Sequence, residues 1–417
     1  MTANMADPMK TSREQLYGPM REEGVFTWDR MYGEEYALAD IHLITREFRR
    51  ELADATERLG RLFAKVVPVL QQAEDALLLE LGVPSQALAA VRTVVSQNMP
   101  TIIGRFDFAQ TDEGFKMLEY NSDTPTGIVE AFCVNGRACR FFDRQDPNEG
   151  MNTQLARAFG NVIEAYRRRG YPTEKIWFSS LDWHEEDKGT TLYLLRESGL
   201  QARFSPLEHL RVWNDRLYVL DGQEMQPVDV LYRLHALEKL AEEQDEEGYQ
   251  TGAHVLSLIA DRKLAIINPP SAFLIQTKAL QALIWNLHEQ GQFFHDEERD
   301  TIARYMLPTY FENRFLGRTD YVTKPVFGRE GGGVVLFDAD GGIAEKDQED
   351  SYWEQQMIYQ KRVELPKITV NTEAGAYDGR LLWGSFLIGG EPSAIVARVG
   401  GPITNNMSYY LPVGIKG

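Results

Sequence analysis

Cysteine is scarce in this sequence, with two residues, Cys133 and Cys139, among 417. Two thiols cannot build a zinc cluster or a disulfide framework, and they suit a reducing compartment. Long apolar runs are missing as well, and no stretch approaches the roughly 18 residues of a membrane span. The opening MTANMADPMKTSREQ lacks the apolar core of a secretory signal, so a cytoplasmic location is expected. Positive charge is in deficit: 44 lysines and arginines stand against 62 aspartates and glutamates, a net charge of −18. A surface this acidic repels phosphate backbones and anionic lipid, which argues against nucleic acid and membrane as partners. It slightly favours a cationic substrate such as an amine, although acidity also serves solubility alone. What is present is the composition of an ordinary globular protein, long enough for two or three packed units.

There is no internal repeat and no low-complexity tract. Residues 34–67 carry apolar side chains at helical spacing, from Leu38 to Val67, and Pro68 is expected to break or kink that helix. AEDALLLELG ends at Gly82, and residues 152–168 are helical in pattern. IWFSSLD (176–182) and VDVLYRL (228–234) are strands, with a polar loop and the helix TTLYLLRESGL after the first. This alternation from 150 to 235 predicts an α/β unit. The charged run 241–250 predicts a solvated loop and a domain edge. KALQALIWNLHE, from Lys278, is a helix. From about 320 onward, short strands with glycine turns predict a second, sheet-rich unit.

Residues 101–121 carry the first chemical signal. Turn residues at Thr111–Gly114 predict a β-hairpin. If Ala109 and Phe115 close a five-residue loop, Arg105 faces Glu119 and Asp107 lies diagonal to it. Period-two alternation puts Arg105, Asp107, Glu119 and Asn121 on one face, and Ile102, Phe106, Phe108, Leu118 and Tyr120 on the other. Two carboxylates and an amide oxygen are hard ligands of the kind magnesium takes, and Arg105 can neutralise them or hold a phosphoryl oxygen. The alternative is a surface hairpin with a cross-strand ion pair. The second signal is YVTKPVFGREGGGVVLF (321–337), two strands around a glycine-rich turn. It is neither a Walker loop nor a dinucleotide fingerprint, because GK[ST] is absent and the chain returns into a strand. Such a hairpin can close over a nucleotide with Lys324 reaching the phosphates, or be a plain glycine turn.

Taken together, RFDF (105–108), EYNSDTPTGIVEA (119–131), KPVFGREGGG (324–333) and YQKRVELP (359–366) resemble the synthetase part of the glutathionylspermidine synthetase family, ATP-grasp carboxylate–amine ligases. The similarity runs in order from FTWDRMYGEEY (26–36) to the end of the sequence. It implies an α/β (α+β) ATP-grasp fold with the nucleotide between sheet-rich subdomains. Residues 1–260 would form a helical segment and a pre-ATP-grasp-like substrate domain that includes the hairpin, and 261–417 the nucleotide-binding region. It implies ATP and Mg2+ as cofactors and small-molecule acid and amine substrates. Asp107, Glu119 and Asn121 match the magnesium ligands, and Lys278 and Lys324 the nucleotide-binding lysines. Gly328, Arg329, Glu330, Gly331 and Gly332 match the loop over the phosphates. Gln360, Lys361 and Val363 match a hinge that meets adenine, mostly through backbone. Arg105 and Arg398 match the arginines on the transferred phosphoryl group and the reacting carboxylate. Thr124 and Thr126 fall near the acid substrate, and Glu185, in the loop His184–Asp187, falls near acidic substrate-binding residues. Each has a plainer alternative: a helix-end lysine for Lys278, a surface ion pair for Arg398, turn residues for the threonines, and a solvated loop for 184–187.

Two departures stand out. The Cys/His amidase of bifunctional members has no counterpart before the ligase motifs, so no amidase activity is expected. Gly127 follows the Thr-Pro-Thr segment that shapes the substrate pocket, which leaves glutathione and spermidine open as the pair. The implied reaction phosphorylates a carboxylate, and an amine then displaces phosphate, a chemistry of positioning and charge neutralisation. The sequence offers no protein base for the amine. The rival readings are a small-molecule kinase, a non-catalytic nucleotide-binding protein and a two-carboxylate glycosidase, the last having no use for the glycine loop.

Overall fold

The computed structural model describes residues 8–417 apart from 97–98, 246, 329–330, 348–353 and 406. Its long helix is Arg46–Gln71, capped by the Thr45 hydroxyl, which accepts from the Phe48 N–H at 3.1 Å. Leu52, Leu59, Phe63, Val66 and Leu70 recur at helical spacing and are buried. The helix begins later than the sequence pattern suggests, because residues 30–44 form three short strands. Pro68 does not break it. Pro68 sits in the last turn, where its missing N–H forfeits a single bond, to Ala64, before the helix ends at Gln71.

This helix packs on a six-stranded antiparallel sheet. Its main order runs Tyr409–Leu411, Glu391–Gly400, Gly375–Ile388, Ile103–Thr111, Gly114–Asn121, and Lys367–Thr372 also pairs with Gly375–Ile388. Close approach is possible because Gly60 faces Leu387, where a Cβ would come within 2.8 Å of the leucine side chain. Thr56 and Ser385 share a buried hydrogen bond of 2.6 Å across the same contact. Segments from either side of residue 260 share this sheet, so the hairpin 103–121 is built into the C-terminal strands.

A second antiparallel sheet has the order Thr309–Tyr310, Met357–Lys361, Tyr321–Pro325, Val335–Phe337, Ile343–Lys346. A third, of four parallel strands, has the order Ala265–Ile267, Val230–Leu234, Ile176–Ser180, Ala202–Phe204. Helices Thr153–Arg168 and Glu185–Glu197 accompany it, which is the alternation expected for 150–235. The chain closes on itself at Val413–Ile415, which pairs in parallel with His42–Ile44. Asn135 clamps this junction, accepting from Val413 N and donating to Val413 O. Among the described residues, no helix is long and apolar enough to cross a membrane.

Candidate active site

The hairpin that presents the carboxylates has a tighter turn than expected. Thr111 pairs with Gly114, leaving a two-residue turn, Asp112–Glu113. Arg105 therefore faces Asn121, and Asp107 faces Glu119 directly. The register shifts between Asp107 and Phe108, because Leu118 is an extra residue on the second strand. This bulge reverses the alternation. Phe115 and Met117 face the core on the turn side, and Tyr120 does so beyond it, stacked on Phe106 at 3.7 Å. Leu118, expected in the core, instead lines a cleft between the two antiparallel sheets. Arg105, Asp107, Glu119 and Asn121 share one face as expected, and all four line that cleft.

The cleft holds about 1550 Å³ of space, part of it open to solvent. Lys278, Lys324, Gly328, Gly331, Gly332, Gln360, Lys361, Val363 and Arg398 line it, together with Thr124 and Thr126. Glu185 does not; it is exposed in the first turn of a helix that starts earlier than predicted, capped by His184, and its neighbour Glu186 faces the cleft instead. Arg329 and Glu330 lie outside the described residues.

Cations and carboxylates in the cleft pair with one another. Arg105 grips Asp107 with two bonds, Nε to Oδ1 at 2.7 Å and Nη2 to Oδ2 at 2.9 Å, and its Nη1 donates to Thr126 O. Lys278 Nζ lies 3.2 Å from Glu119 Oε2 and donates to Gly328 O at 2.8 Å. Lys324 Nζ donates to Leu118 O, the bulge carbonyl, and to Gln360 Oε1 at 2.8 Å. Gln360 is buried and its amide donates to Gln281 and Thr309, so its side chain positions Lys324. Arg398 Nη2 donates to Asn405 O. Asn121 Nδ2 reaches both Asp107 and Glu119, at 3.3 and 3.2 Å, leaving the amide oxygen for another partner.

These neighbours set the charges. Burial raises Asp107 above the usual carboxylate range, against the pull of Arg105. Loss of hydration opposes ionisation of Glu119 too, but Lys278, Lys324 and the Asn121 bond outweigh it and bring it down to about 2. Burial lowers Lys324 to about 8, Lys278 adding to the fall and Glu119 resisting it. Arg105 is raised, because Asp107 outweighs the cost of burial.

Asp107, Glu119 and the Asn121 oxygen fit a magnesium ion that takes its remaining oxygens from phosphate and water. Among the described residues, no group of three or more His, Cys, Asp or Glu side chains forms a richer metal site. The glycine loop is seated close by: a Cβ on Gly331 would come within 2.7 Å of Thr404 O, and one on Gly328 within 2.8 Å of Gly332 O. Val322, Leu336, Val363, Leu365, Leu382 and the bulged Leu118 supply an apolar wall. Of that wall sequence reasoning named only Val363, and it named the loop that carries Glu186 but chose Glu185; it missed the rest of the wall, along with Tyr36, Met31 and the segment 402–404. They are scattered singly along the chain, and only the bulge brings Leu118 round.

Comparison with known proteins agrees with this architecture. A family model described as "Glutathionylspermidine synthase preATP-grasp" matches residues 10–416. A Haemophilus influenzae protein provisionally named an acid–amine ligase is 25% identical over 327 residues, 75% of this chain and 74% of its own length. The bifunctional glutathionylspermidine synthetase/amidase of Escherichia coli is 25% identical over 373 residues, 82% of this chain. The match spans 56% of that longer enzyme. A solved glutathione synthetase-like effector from Globodera pallida superposes over 99% of both chains with a TM-score of 0.59 at 13% identity, a likeness of fold. The chain has an ATP-grasp type fold and belongs to the glutathionylspermidine synthase preATP-grasp family.

Proposed function

We propose that this protein is an ATP-dependent ligase that joins a carboxylate to an amine through an acyl phosphate. One observation carries the reading: two carboxylates and an amide oxygen, two lysines, a glycine loop, two arginines and an apolar wall converge on one cleft. Family membership and the names of the relatives support it. They also put glutathione-like peptides and polyamines first among the pairs to test.

The apolar wall takes the adenine ring, with the 360–363 segment offering backbone groups. Lys278, Lys324 and the loop amides hold the phosphates. Asp107, Glu119 and Asn121 would hold magnesium, which neutralises phosphate charge when bound. Arg105 and Arg398 flank the place where the acid must lie and orient its carboxylate toward the γ-phosphate. They then stabilise the oxyanion that forms when the amine adds. Closure of the glycine loop onto 402–404 keeps water from the acyl phosphate.

The test is phosphate release screened against pairs of small peptides and polyamines, with hydroxylamine to trap the activated acid. A ligase releases phosphate only when both acid and nucleophile are present. A stable phosphorylated acid formed without any amine would instead identify a kinase. Asp107→Ala or Glu119→Ala is expected to abolish magnesium-dependent ATP turnover and leave far-UV circular dichroism unchanged. Wild-type turnover in the double variant would remove the metal assignment.

A further inference from the structure

The reading above leaves the amine without a proton acceptor, and the structure holds a carboxylate that it does not use. Glu130 is fully buried, at the start of the π-helical turn Glu130–Val134 that follows the Thr124–Gly127 loop. Trp28 Nε1 donates to its Oε1 at 2.9 Å, and Tyr36 Oη donates to the same oxygen at 3.1 Å. Its other oxygen, Oε2, receives no hydrogen bond from another described residue. Burying a carboxylate half-satisfied among apolar side chains is costly, and such a group usually has a task. One of its two donors reaches the cleft: Tyr36 lines it together with Arg105, Thr126, Gly127 and Arg398. Since the phenolic proton is committed to Glu130, the Tyr36 oxygen is left to accept a hydrogen bond from whatever stands before it.

We propose that Tyr36 takes the proton released by the attacking amine and that Glu130 is the buried group behind it that receives the charge. The inference rests on the ligase reading. The amine lone pair forms the C–N bond, and the C–O bond to the phosphoryl group breaks, releasing inorganic phosphate. The N–H proton passes to Tyr36 Oη as the phenolic proton passes to Glu130 Oε1. Glu130 ends as a neutral carboxylic acid and returns its proton through Tyr36 to solvent after the product leaves. Burial pushes the Glu130 carboxyl up, against the bonds from Trp28, its own backbone N–H and Tyr36. The charged and titratable groups facing the pair are Arg105, Arg398, Glu186 and the phenols of Tyr17 and Tyr410. Tyr36 is thus the catalytic group and Glu130 a positioning residue that also stores the proton.

The experiment uses Tyr36→Phe and Glu130→Gln, assayed with the acid and amine pair that releases phosphate in the screen and again with hydroxylamine in place of the amine. Hydroxylamine is weakly basic, arrives unprotonated at neutral pH and sheds its proton readily. Tyr36→Phe is expected to slow amide formation by about 100-fold or more while hydroxamate formation stays near wild type. Glu130→Gln keeps an oxygen for Tyr36 and Trp28 but cannot take the proton, so the acid-side limb of the amide pH profile should disappear. Trp28→Phe removes only a brace and should keep that limb. Amide formation by Tyr36→Phe at the wild-type rate overturns the proposal. So does a matched loss of amide and hydroxamate in both variants with a lowered melting temperature, which would make the pair structural. A wild-type protein that releases no phosphate with any acid fails at the ligase reading itself, before this step is reached.

Discussion

The carboxylates of the cleft are neutralised before any ligand arrives, Asp107 by Arg105 and Glu119 by Lys278. On the proposed reading, free metal would compete with these cations, whereas a nucleotide would draw Lys278 to its phosphates and release Glu119. The wild-type protein should therefore bind Mn2+ weakly alone and tightly with a non-hydrolysable ATP analogue. Lys278→Met should raise the affinity for free Mn2+ about fivefold, the worth of an ion pair of ~1 kcal/mol, while weakening the nucleotide. Electron paramagnetic resonance of unbound Mn2+ measures both, and equal metal affinity in the two proteins would contradict the pairing. Lys324 gives a pH dependence. Burial brings it to about 8 without ligand, and phosphate favours its charged form. Nucleotide affinity should be level below about 8 and decline as pH rises through it, when the lysine must be protonated on binding. Calorimetry across pH 7–10 checks this, and Lys324→Ala should bind more weakly and lose the slope. That Asp107, Glu119, Asn121 and Lys324 line one cleft was legible in the sequence because each sits in a short motif, whereas Lys278 was marked by its place at the start of a helix. Tyr36 and Glu130 were not legible, since they lie 94 positions apart and meet only through the fold.

At the scale of elements, the hairpin shows what alternation conveys. Parity alone assigned Arg105, Asp107, Glu119 and Asn121 to one face, and that face is intact. Parity could not see the bulge, so cross-strand partners and the place of Leu118 came out differently. A bulge depends on how the neighbouring strands twist, which no local pattern records. The neighbouring strand matters for a second reason. Gly384 pairs with Asp107, and a Cβ there would come within 2.6 Å of Val396 and 2.9 Å of Arg105 Cδ. Gly384→Ala should displace Arg105 and cost about 1–3 kcal/mol of stability, with ATP turnover falling further than the stability loss explains. Urea denaturation beside a turnover assay separates the two. The early start of the helix at Glu185 has a local cause that was open to reading: His184 accepts from Asp187 N, and three acidic residues fill the first turn.

For the whole molecule, the relation between the parallel sheet and the hairpin rests on two buried polar anchors. Arg233, in a central strand of the parallel sheet, meets Asp123 with bonds of 2.6 and 3.0 Å, both side chains wholly enclosed. Asn268 accepts from the N–H groups of Ile102 and Ile103 and donates to the carbonyls of Ile103, Ser122 and Asp123. Both anchors hold the segment that follows Asn121. Asp123→Ala strands a buried guanidinium and should cost about 3–5 kcal/mol, seen as a lower urea midpoint. An unchanged midpoint would show that the anchor contributes nothing. The class of each unit was legible from strand and helix alternation. Their joining was not, because the central sheet draws strands from near residue 110 and from residue 367 onward, and pairings that distant leave no periodic trace.

The parallel pairing of Val413–Ile415 with His42–Ile44 carries a consequence for biosynthesis. The segment around residue 42 leaves the ribosome hundreds of residues before its partner exists. Its backbone groups must wait, bound to water or to a chaperone, until residues 413–415 have been made. The final architecture therefore waits for residues 413–415, and polypeptides ended before Val413 should aggregate or be degraded rather than work as fragments.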